Sequence, residues 1–480
     1  MMKHLVTYIF ISALAAVLAA CGGRVAERSP SAPHIFPDYA GVTVPVNIAP
    51  LNFRLDGFEG RARARLEADA ERVTVSTRDG AFRLPQRGWR RLCTAAVAAD
   101  VDISVTVEAR DGDGVWRRYA PFVIRVSEDV IDPYMVYRLI EPGYETWGEM
   151  GIYQRCLETF REEPVIETSS AGYGCINCHT FRSQDPDMML FHMRQTHAGT
   201  MLLREGRIER LNTATDSTIS STVYPSWHPS GRYIAFSVNA TKLITLPDES
   251  NRVEVFDSAS DVVVYDTERH ELYSVPELMR GDRFETFPSF SSAGDKLYFC
   301  AADSVEMPAR YKEARYSLCS IGFDAASGRL GRDVDTLCNA RTTGRSVSFP
   351  RVSPDGAFML YALSDYGTFS IWHRDADLRM IDLRSGREVE TSAVNSPEAE
   401  SYHSWSSNSR WILFNSRRVD GLYTHVYMAH VSDDGTLSKP FLLPQQNPEH
   451  NTWRLKSYNT PQFIRGEVRL PEKELKNLFK

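Results

Sequence analysis

The chain has 480 residues, a formal net charge of −7, and 42% hydrophobic, 24% charged and 11% aromatic residues. This composition is typical of globular proteins and excludes a disordered or fibrous chain. A mildly acidic chain without a basic stripe has no electrostatic footprint for nucleic acid, so we expect no such partner. Beyond the first twenty residues, no apolar run approaches the roughly 18 residues that a membrane span needs.

The first twenty residues read as an export signal. Lys3 and His4 precede an apolar run that ends at Leu18, and Ala19-Ala20-Cys21 follow. A charged start, a short apolar segment and small residues before a cleavage site are typical of secretory signals. An ordinary signal peptide with a chance cysteine is one interpretation of this pattern.

Leu18-Ala19-Ala20-Cys21 also resembles the bacterial lipobox. The resemblance implies that Cys21 is diacylated and becomes the mature N-terminus, which would make the membrane a partner through a lipid anchor. No aspartate follows Cys21, and by the same resemblance this favours the outer membrane, with the protein facing the periplasm or the cell surface. We expect residues 1–20 to be the signal peptide and residues 21–34, rich in Gly, Ser and Pro, to be a flexible tether.

Residues 35–130 consist of short runs in which apolar and polar residues alternate. The clearest runs begin at Val42, Arg61, Arg72, Asp102 and Phe122, and Asp111-Gly-Asp-Gly is a hairpin signal between two of them. Alternation interrupted by turn residues every ten or so positions predicts an antiparallel Ig-like β-sandwich. Residues 131–179 are then interpreted as a linker with a short helix near 149–160.

From about residue 180 the chain repeats one unit. Tyr224-Pro-Ser-Trp-His-Pro-Ser-Gly-Arg-Tyr-Ile-Ala-Phe-Ser returns from Phe287, from Phe349 and, in degenerate form, from Tyr402. Each copy reads as a strand, a tight turn and a second strand, and two further strands follow. Four strands per roughly 50 residues make a propeller blade. A second sandwich is the alternative, but sandwiches do not repeat one turn motif in phase.

These units resemble the TolB-type β-propeller repeat, a strand pair around Ser/Pro-Asp-Gly. The resemblance covers about 180–470 and implies a propeller over 180–480. Weaker copies at 181–191 and 458–463 bring the expected number of blades to about six, closed by strands from opposite ends of this region. The predicted fold class is therefore all-β, a sandwich followed by a TolB-like propeller.

One motif carries chemistry. Gly174-Cys-Ile-Asn-Cys-His179 contains Cys-x-x-Cys-His, in which two thiols can reach the vinyl groups of one haem and the next imidazole can reach its iron. The motif resembles that of c-type cytochromes, which implies one haem c with Cys175 and Cys178 as thioether sites and His179 as axial ligand. The cysteines could instead form a disulfide or redox pair, or hold zinc together with His179. The strands that follow almost at once depart from the helical surroundings of small cytochromes c.

The iron of a haem at this motif has a sixth coordination position that another residue could fill. The nearby candidates are His192, His197, Met188, Met189 and Met193. Alternation along the predicted strand places His192 on the face opposite Phe191, where a ligand could stand, and places Arg194 on the same face as His192, where it could pair with a haem propionate. His197 is the second choice, and a hydrogen-bonded strand histidine is the other interpretation of His192.

Other residues are expected to be structural. His228 and His403 fall within the repeats, where they predict strand-end contacts, and Arg417-Arg418 is interpreted as a solvated charge pair. Neither a Gly-x-Ser-x-Gly elbow nor a zincin motif is present in the sequence. Seven cysteines remain besides Cys21, and Cys300 with Cys319 is a plausible disulfide pair.

Three functions are compatible with these patterns. The first is a lipid-anchored periplasmic protein whose haem serves electron transfer or other redox chemistry. The second is a scaffold that binds a protein or peptide partner on the propeller face, with a structural Cys-x-x-Cys pair. The third is a haem enzyme with an open sixth position. We expect an electron carrier or binding protein rather than an enzyme.

Overall fold

The computed structural model describes residues 25–110, 112–141, 149–216, 218–246 and 251–479. The contacts divide the chain into two compact units. Unit 1 comprises the residues up to Gly41, Pro50–Val126 and Gln446–Pro448, and unit 2 comprises Val42–Ala49, Ser127–Gln445 and the residues from Glu449 onward. The predicted signal peptide and Cys21 lie outside the described residues, and the predicted tether 21–34 is not wholly flexible, because Val25–Arg28 forms a strand that pairs with Trp116–Arg118. Within the described ranges, no helix is long and apolar enough to cross a membrane.

Between residues 25 and 127 the chain forms ten strands and one helix. They are β1 (Val25–Arg28), β2 (Ile35–Phe36), β3 (Thr43–Pro45), β4 (Phe53–Leu55), β5 (Ala62–Ala68), β6 (Glu71–Thr77), β7 (Ala81–Phe82), α1 (Gln86–Ala99), β8 (Ile103–Arg110), β9 (Trp116–Arg118) and β10 (Phe122–Ser127). In unit 1, β6, β5 and β8 pair side by side, β9 and β10 pair with the far edge of β8, and β1 pairs in parallel with β9. β2, β4 and β7 form a second, small sheet.

The strands of unit 1 show the predicted alternation of apolar and polar residues. Helix α1, however, was not predicted. Trp89, Leu92, Cys93 and Ala96 are the large side chains that α1 buries, at the i, i+3, i+4 and i+7 spacing of an amphipathic helix. The helix packs on β5, β6 and β8. One face of the larger sheet is therefore covered by a helix, which an Ig-like sandwich does not have.

The remaining strands are β11 (Tyr134–Ile140), β12 (Gly151–Cys156), β13 (Glu162–Glu167), β14 (Ile176–Phe181), β15 (Met188–Met193), β16 (Gly199–Arg204), β17 (Arg207–Leu211), β18 (Thr222–Trp227), β19 (Tyr233–Thr245), β20 (Val253–Asp266), β21 (Glu271–Tyr273), β22 (Arg283–Phe290), β23 (Lys296–Asp303), β24 (Ser317–Asp324), β25 (Arg329–Cys338), β26 (Ser346–Val352), β27 (Phe358–Ser364), β28 (Asp377–Asp382), β29 (Arg387–Val389), β30 (Glu400–Trp405), β31 (Trp411–Ser416), β32 (His425–His430), β33 (Phe441–Leu442) and β34 (Ser457–Ile464). Short helices α2 (Ala340–Thr343), α3 (His450–Trp453) and α4 (Glu472–Leu478) lie between or after them.

These strands form six sheets of four, the blades of a β-propeller. Blades 2 to 6 each take four consecutive strands, from β14–β17 to β30–β33, whereas blade 1 has the order β34-β11-β12-β13. The number of blades predicted from the repeats is confirmed. The ring is closed by the last strand of the chain, which pairs with β11 from Tyr134 to Ile140.

The closure corrects the interpretation of residues 131–179. This segment is not a linker with a short helix: Tyr134–Glu167 supplies the three outer strands of blade 1, and the expected helix near 149–160 is strand β12. These strands carry no Ser/Pro-Asp-Gly turn, so the repeat pattern did not reveal them. The motif at Cys175 to His179 runs into β14, the innermost strand of blade 2.

Every innermost strand carries a bulge at the same place. Six residues have a left-handed φ between 44° and 53°: Cys178, Tyr224, Phe287, Phe349, Tyr402 and Thr460. The strand pairing shifts around each of them, for example between Asn177 and Thr180 and between Val223 and Ser226. A bulge redirects a side chain out of the regular alternation. Here it brings neighbouring blades together at the propeller axis, where the rings of Tyr224 and Phe287 are 4.5 Å apart and those of Phe287 and Phe349 are 4.1 Å apart.

The cysteines do not pair in this fold. All seven cysteines among the described residues are free. Cys300 belongs to the apolar cluster between blades 4 and 5, and Cys319 belongs to the cluster between blades 3 and 4. The expected Cys300–Cys319 disulfide is therefore wrong, because the two side chains lie on opposite faces of one sheet.

Candidate functional site

The Cys-x-x-Cys-His motif is part of the propeller repeat. Cys178-His179-Thr180-Phe181 occupies the positions that Tyr402-His403-Ser404-Trp405 occupies in blade 6, and the left-handed residue is the first of each four. In the other four blades the second position is proline: Pro225, Pro288, Pro350 and Pro461. Cys178 and His179 therefore stand at regular positions of the repeat. Cys175, the first cysteine of the motif, directly precedes β14.

The two thiols lie near each other and are not bonded. Cys175 is 4% exposed and Cys178 is half-buried, and both are free. Burial raises the pKa of Cys175, with Cys178 adding to the rise, while Arg138 and Arg194 oppose it. Cys175 is therefore a protonated thiol near neutral pH. Among the described residues, no three His, Cys, Asp or Glu side chains converge on a metal position, so the zinc alternative has no ligand set here.

His179 is enclosed between blades 1 and 2. It is 3% exposed, and burial, together with the nearby Arg138, lowers its pKa to about 3. Backbone groups of Val136 and Thr460, on two strands of blade 1, act on the ring. Neither Nδ1 nor Nε2 makes a hydrogen bond of normal geometry with a described residue. The imidazole is therefore neutral near pH 7, and its contacts with the backbone of blade 1 are looser than a normal hydrogen bond.

His403 shows what the same position does in blade 6. Its Nε2 lies 3.0 Å from the carbonyl oxygen of Leu360, on the second strand of blade 5. His228, the other histidine expected to be structural, places Nε2 3.0 Å from the carbonyl of Gly294 in the next blade. Both structural predictions are confirmed, and His179 differs from these two histidines in having no hydrogen bond of normal geometry with a described residue.

His192 lies on the other side of the blade. Its Nδ1 is 2.8 Å from Oγ1 of Thr200, and its ring centroid is 5.9 Å from that of Phe236 in blade 3. His192 does lie opposite Phe191, as predicted, because Phe191 packs in the cluster shared with blade 1. However, His179 faces blade 1 and His192 faces blade 3. In this fold the two rings lie at different blade interfaces, and the role of His192 as a sixth ligand stays a prediction.

The other predicted ligands are also dispersed. The ring of His197 packs on Phe479 with centroids 4.9 Å apart. Met189 and Met193 fill the cluster between blades 1 and 2, and Met188 fills that between blades 2 and 3. Arg194 is exposed, and its backbone N–H donates to the carbonyl of Cys175 at 2.9 Å. Of the predicted set, Cys175 lies near Cys178 and Arg194, while His179 faces blade 1 and shares with Cys175 only the nearby Arg138.

The donor set fits a haem c only in part. Two free thiols in mutual range and an imidazole with both nitrogens unbonded are the protein groups that such a haem requires. The burial of His179 against blade 1 means that a haem could reach it only if the interface of blades 1 and 2 opened. On the described residues, a haem would be held by Cys175, Cys178 and His179.

Two further clusters have no motif in the sequence. Asp257, which is 5% exposed, accepts a hydrogen bond from Asn239 Nδ2 at 2.9 Å, and burial raises its pKa to about 7. Glu254 and His373 form a buried pair with Oε2 and Nε2 2.9 Å apart. Glu254 and His373 are 119 positions apart in the sequence. No local pattern could have found this pair, whereas the shared alternation of β19 and β20 could have placed Asn239 and Asp257 near each other.

Arg417 and Arg418 correct another prediction. Arg417 is 4% exposed, stacks its guanidinium 3.5 Å from the ring centroid of Trp372 and donates to the carbonyl of Ile371 at 2.6 Å. Arg418 pairs with Glu400 at 3.0 Å. They are not solvated charges, because the hairpin between β31 and β32 folds them onto neighbouring loops.

No protein family and no curated protein matches the sequence. Among solved structures, the chain is similar to TolB from Acinetobacter baumannii, with 12% identity, a TM-score of 0.43, and coverage of 79% of this chain and 85% of that chain. It is also similar to a periplasmic gluconolactonase from Pseudomonas aeruginosa, with 14% identity, a TM-score of 0.37, and coverage of 70% and 100%. An oligogalacturonate lyase from Vibrio parahaemolyticus shows 10% identity, a TM-score of 0.34, and coverage of 63% and 92%.

All three TM-scores lie below 0.5, and the class of this protein rests on its own strand order. That order defines an all-β protein with a six-bladed propeller. The chain also carries a separate N-terminal unit of two sheets and one helix.

Proposed function

We propose that the chain is a binding scaffold, tethered to the outer membrane through Cys21, whose propeller docks a protein or peptide partner. The observation that carries the proposal is the placement of exposed apolar side chains. Within each blade, the loop into the innermost strand and the hairpin between the second and third strands lie at the same end of the sheet, because these strands are antiparallel. We call this the upper end of the propeller.

Nine large apolar side chains are exposed among the described residues, and six of them lie at the upper end. They are Tyr173, Ile219, Leu243, Met279, Trp453 and Leu455. Tyr173 is 69% exposed and Trp453 is 73% exposed. The other three, Val101, Val123 and Val130, lie outside the blades. Exposed aromatic and aliphatic residues gathered on one surface are typical of protein interaction sites.

The test is photo-crosslinking in cells that express the full chain. A photoreactive amino acid replaces Tyr173 or Trp453 at the upper end and, as a matched control, Ala326 in the turn at the other end of blade 4. We expect one discrete adduct from the two upper positions and none from the control. Equal labelling at all three positions, or none at all, would contradict a docking function at the upper end.

The anchor has its own test. Diacylation at Cys21 predicts that metabolic labelling with a fatty acid marks the wild type and that Cys21→Ser abolishes the label and releases the protein from the membrane fraction. A Cys93→Ser variant is the control, since Cys93 is a buried residue of helix α1. A label that persists in the Cys21→Ser variant would show acylation elsewhere and refute the anchor.

A second candidate function is haem-assisted electron transfer at Cys175, Cys178 and His179. It is favoured by one observation: Cys175 and Cys178 are free, and neither ring nitrogen of the adjacent residue His179 makes a hydrogen bond of normal geometry with a described residue. A bound haem c would supply one-electron chemistry. The protein would contribute the thioether sulfurs and one imidazole.

Covalent haem staining of protein matured with its native haem machinery decides between the two candidates. The haem function predicts a stained band that a Cys175→Ala/Cys178→Ala variant loses and that a Cys300→Ala variant keeps. It also predicts a pyridine haemochrome spectrum, and a Soret band that His179→Ala alters and His192→Ala leaves unchanged. Unstained wild-type protein would remove the haem and leave the scaffold.

A further inference from the structure

Unit 1 has an unusual distribution of charge. Its described residues contain 15 arginines, 12 acidic residues and no lysine, which gives a net charge of +3 in a chain whose total is −7. Arginine binds carboxylate and phosphate groups with a planar, bidentate fork that lysine does not have. Exposed arginines of unit 1 that are not paired with carboxylates could therefore bind anionic groups.

Several of them share one face of the larger sheet. Helix α1 packs on one side of β5, β6 and β8, and the alternate residues of these strands point to the other side. The pairing registers place the outward residues in three rows, which we call the arginine face. The rows are Ser76, Arg63, Glu108 and Arg118; then Thr74, Arg65 and Thr106; then Arg72, Glu67 and Ser104.

In the first and third rows, carboxylates neutralise some of the arginine charge. Glu108, 2% exposed, is held between Arg63 and Arg118, with Arg118 Nη2 2.6 Å from its Oε1. Burial alone would raise the pKa of Glu108, but the hydrogen bonds from the two guanidinium groups hold it below its ordinary value. Arg72 pairs with Glu67 at 2.6 Å. The face thus has four arginines against two carboxylates.

Arg65 stands in the middle row and differs from its neighbours. It forms no ion pair with any described residue, and its strand neighbours Thr74 and Thr106 present hydroxyl groups beside it. A guanidinium flanked by two hydroxyls, with no carboxylate paired to it among the described residues, offers several hydrogen-bond donors to an anion. Its charge is available to an anion from outside the chain.

The short sequence between Cys21 and β1 indicates which anion would lie close to this face. Three residues separate Cys21 from β1, and they span at most about 14 Å between Cys21 and Val25. β1 belongs to the same sheet, because it pairs with β9 and its Glu27 lies 3.0 Å from Arg117. An acyl group on Cys21 would therefore hold this sheet beside the membrane surface. This step rests on the proposed anchor.

We infer that the arginine face binds anionic phospholipid head groups, so that unit 1 lies against the membrane to which Cys21 is anchored. Charged surfaces interact within about one Debye length, about 8–10 Å at moderate salt, which the short connection permits. The phosphate of a head group would accept from Arg65 and the threonine hydroxyls, and Arg72 would add to the attraction from the edge of the sheet.

The test uses the chain from residue 22 onward, which lacks Cys21 and therefore any acyl group on it, so the result does not depend on lipidation. Its binding to phosphatidylcholine vesicles with and without phosphatidylglycerol is measured by sedimentation at low and high salt. We expect binding only with phosphatidylglycerol and at low salt. Arg65→Gln and Arg72→Gln should each weaken it about fivefold. Arg87→Gln, the same charge change on α1 behind the sheet, should leave it unchanged.

Binding that ignores phosphatidylglycerol, or that falls equally with Arg87→Gln, would overturn the proposal. So would retention on a sulfated polysaccharide without binding to the anionic vesicles, since the partner would then be a glycan. Arg65 has no ion partner to lose, and thermal unfolding of Arg65→Gln and Arg72→Gln confirms that both variants are folded. If fatty acid labelling shows no acylation while the vesicle result holds, the anchor fails and the lipid-binding face stands.

Discussion

His179 and His403 occupy the same position of the repeat, in blades 2 and 6, and each ring faces backbone groups of the preceding blade. His403 places Nε2 3.0 Å from the carbonyl of Leu360, whereas neither ring nitrogen of His179 makes a hydrogen bond of normal geometry with a described residue. The backbone conformation before each is the same, with φ of 48° at Tyr402 and 51° at Cys178. One position therefore holds a histidine with a short hydrogen bond in blade 6 and, in blade 2, a buried histidine with looser backbone contacts to Val136 and Thr460.

The first prediction exploits the prolines at this position in the other blades. His179→Pro should change the free energy of unfolding by less than about 1 kcal/mol, because the backbone already accepts Pro225, Pro288, Pro350 and Pro461 there. His403→Pro should cost about 1 kcal/mol more, since it removes the hydrogen bond to Leu360. Chemical denaturation of both variants measures the difference. A His179→Pro chain that does not fold would show that the imidazole, not the backbone, is what blade 2 needs.

The second prediction concerns Gly294 in the turn of blade 4. It has φ of +77°, and an added Cβ would collide with the His228 ring. Gly294→Ala should therefore destabilise the chain by about 1–3 kcal/mol, through strain at positive φ and loss of the His228 contact. Gly386→Ala, at φ of +68° with open space around it, is the control for strain alone and should cost less. Equal costs in thermal unfolding would mean that the clash is relieved elsewhere.

The third prediction is a pH dependence set by Glu285. This side chain is 0% exposed, and burial raises its pKa to about 7, with Arg283 opposing the rise. A carboxyl whose folded-state pKa is raised contributes stability below its unfolded pKa, and this stability is lost as pH rises through the folded pKa. Glu285→Gln should thus match the wild type at pH 4.5 and exceed its stability by about 1–3 kcal/mol at pH 8.

Urea unfolding across this pH range provides the measurement for Glu285. Glu271→Gln, which removes an exposed carboxylate from β21, is the control and should follow the wild-type curve. If Glu285→Gln is less stable than the wild type at pH 8, the carboxylate is stabilised by Arg283 more strongly than burial penalises it.

The fourth prediction tests the buried ion pair of Arg418 and Glu400. Glu400 is 0% exposed and lies 3.0 Å from Arg418. Arg418→Ala should destabilise the chain by about 3 kcal/mol, because it leaves a buried carboxylate without its cation. Adding Glu400→Gln should restore a large part of that loss. Arg384→Ala, 70% exposed, should change stability by less than about 0.5 kcal/mol.

The blades were predictable because the repeat sets side chains in phase over long stretches. Four copies of one strand pair fixed the positions of Trp227, Phe290 and their equivalents, and no long-range information was needed. Blade 1 was hidden because its strands come from both ends of unit 2 and share only the Thr460-Pro-Gln-Phe463 fragment with the others. Helix α1 was detectable from the spacing of Trp89, Leu92, Cys93 and Ala96, but strand alternation on either side dominated the interpretation.

The candidate site illustrates a different limit. The spacing of Cys175, Cys178 and His179 supports two interpretations, a haem motif and a copy of the blade repeat, and the match to Tyr402-His403-Ser404-Trp405 was present in the sequence. The side on which His192 packs could not be inferred, because alternation gives the relative faces of neighbouring residues and not which blade each face meets. The Glu254–His373 pair depends on a contact between distant loops, for which a single sequence gives no signal.

The pairing of β34 with β11 has a consequence for how the protein is made. Blade 1 has three strands near the start of unit 2, and its innermost strand ends at Ile464. More than three hundred residues separate β11 from β34 in the sequence, so the edge of β11 that pairs with β34 is unpaired until the end of the chain has been made. Exposed strand edges invite pairing with other chains. Blade 1 is therefore completed last, and until β34 is available one edge of β11 stays open to pairing with other chains.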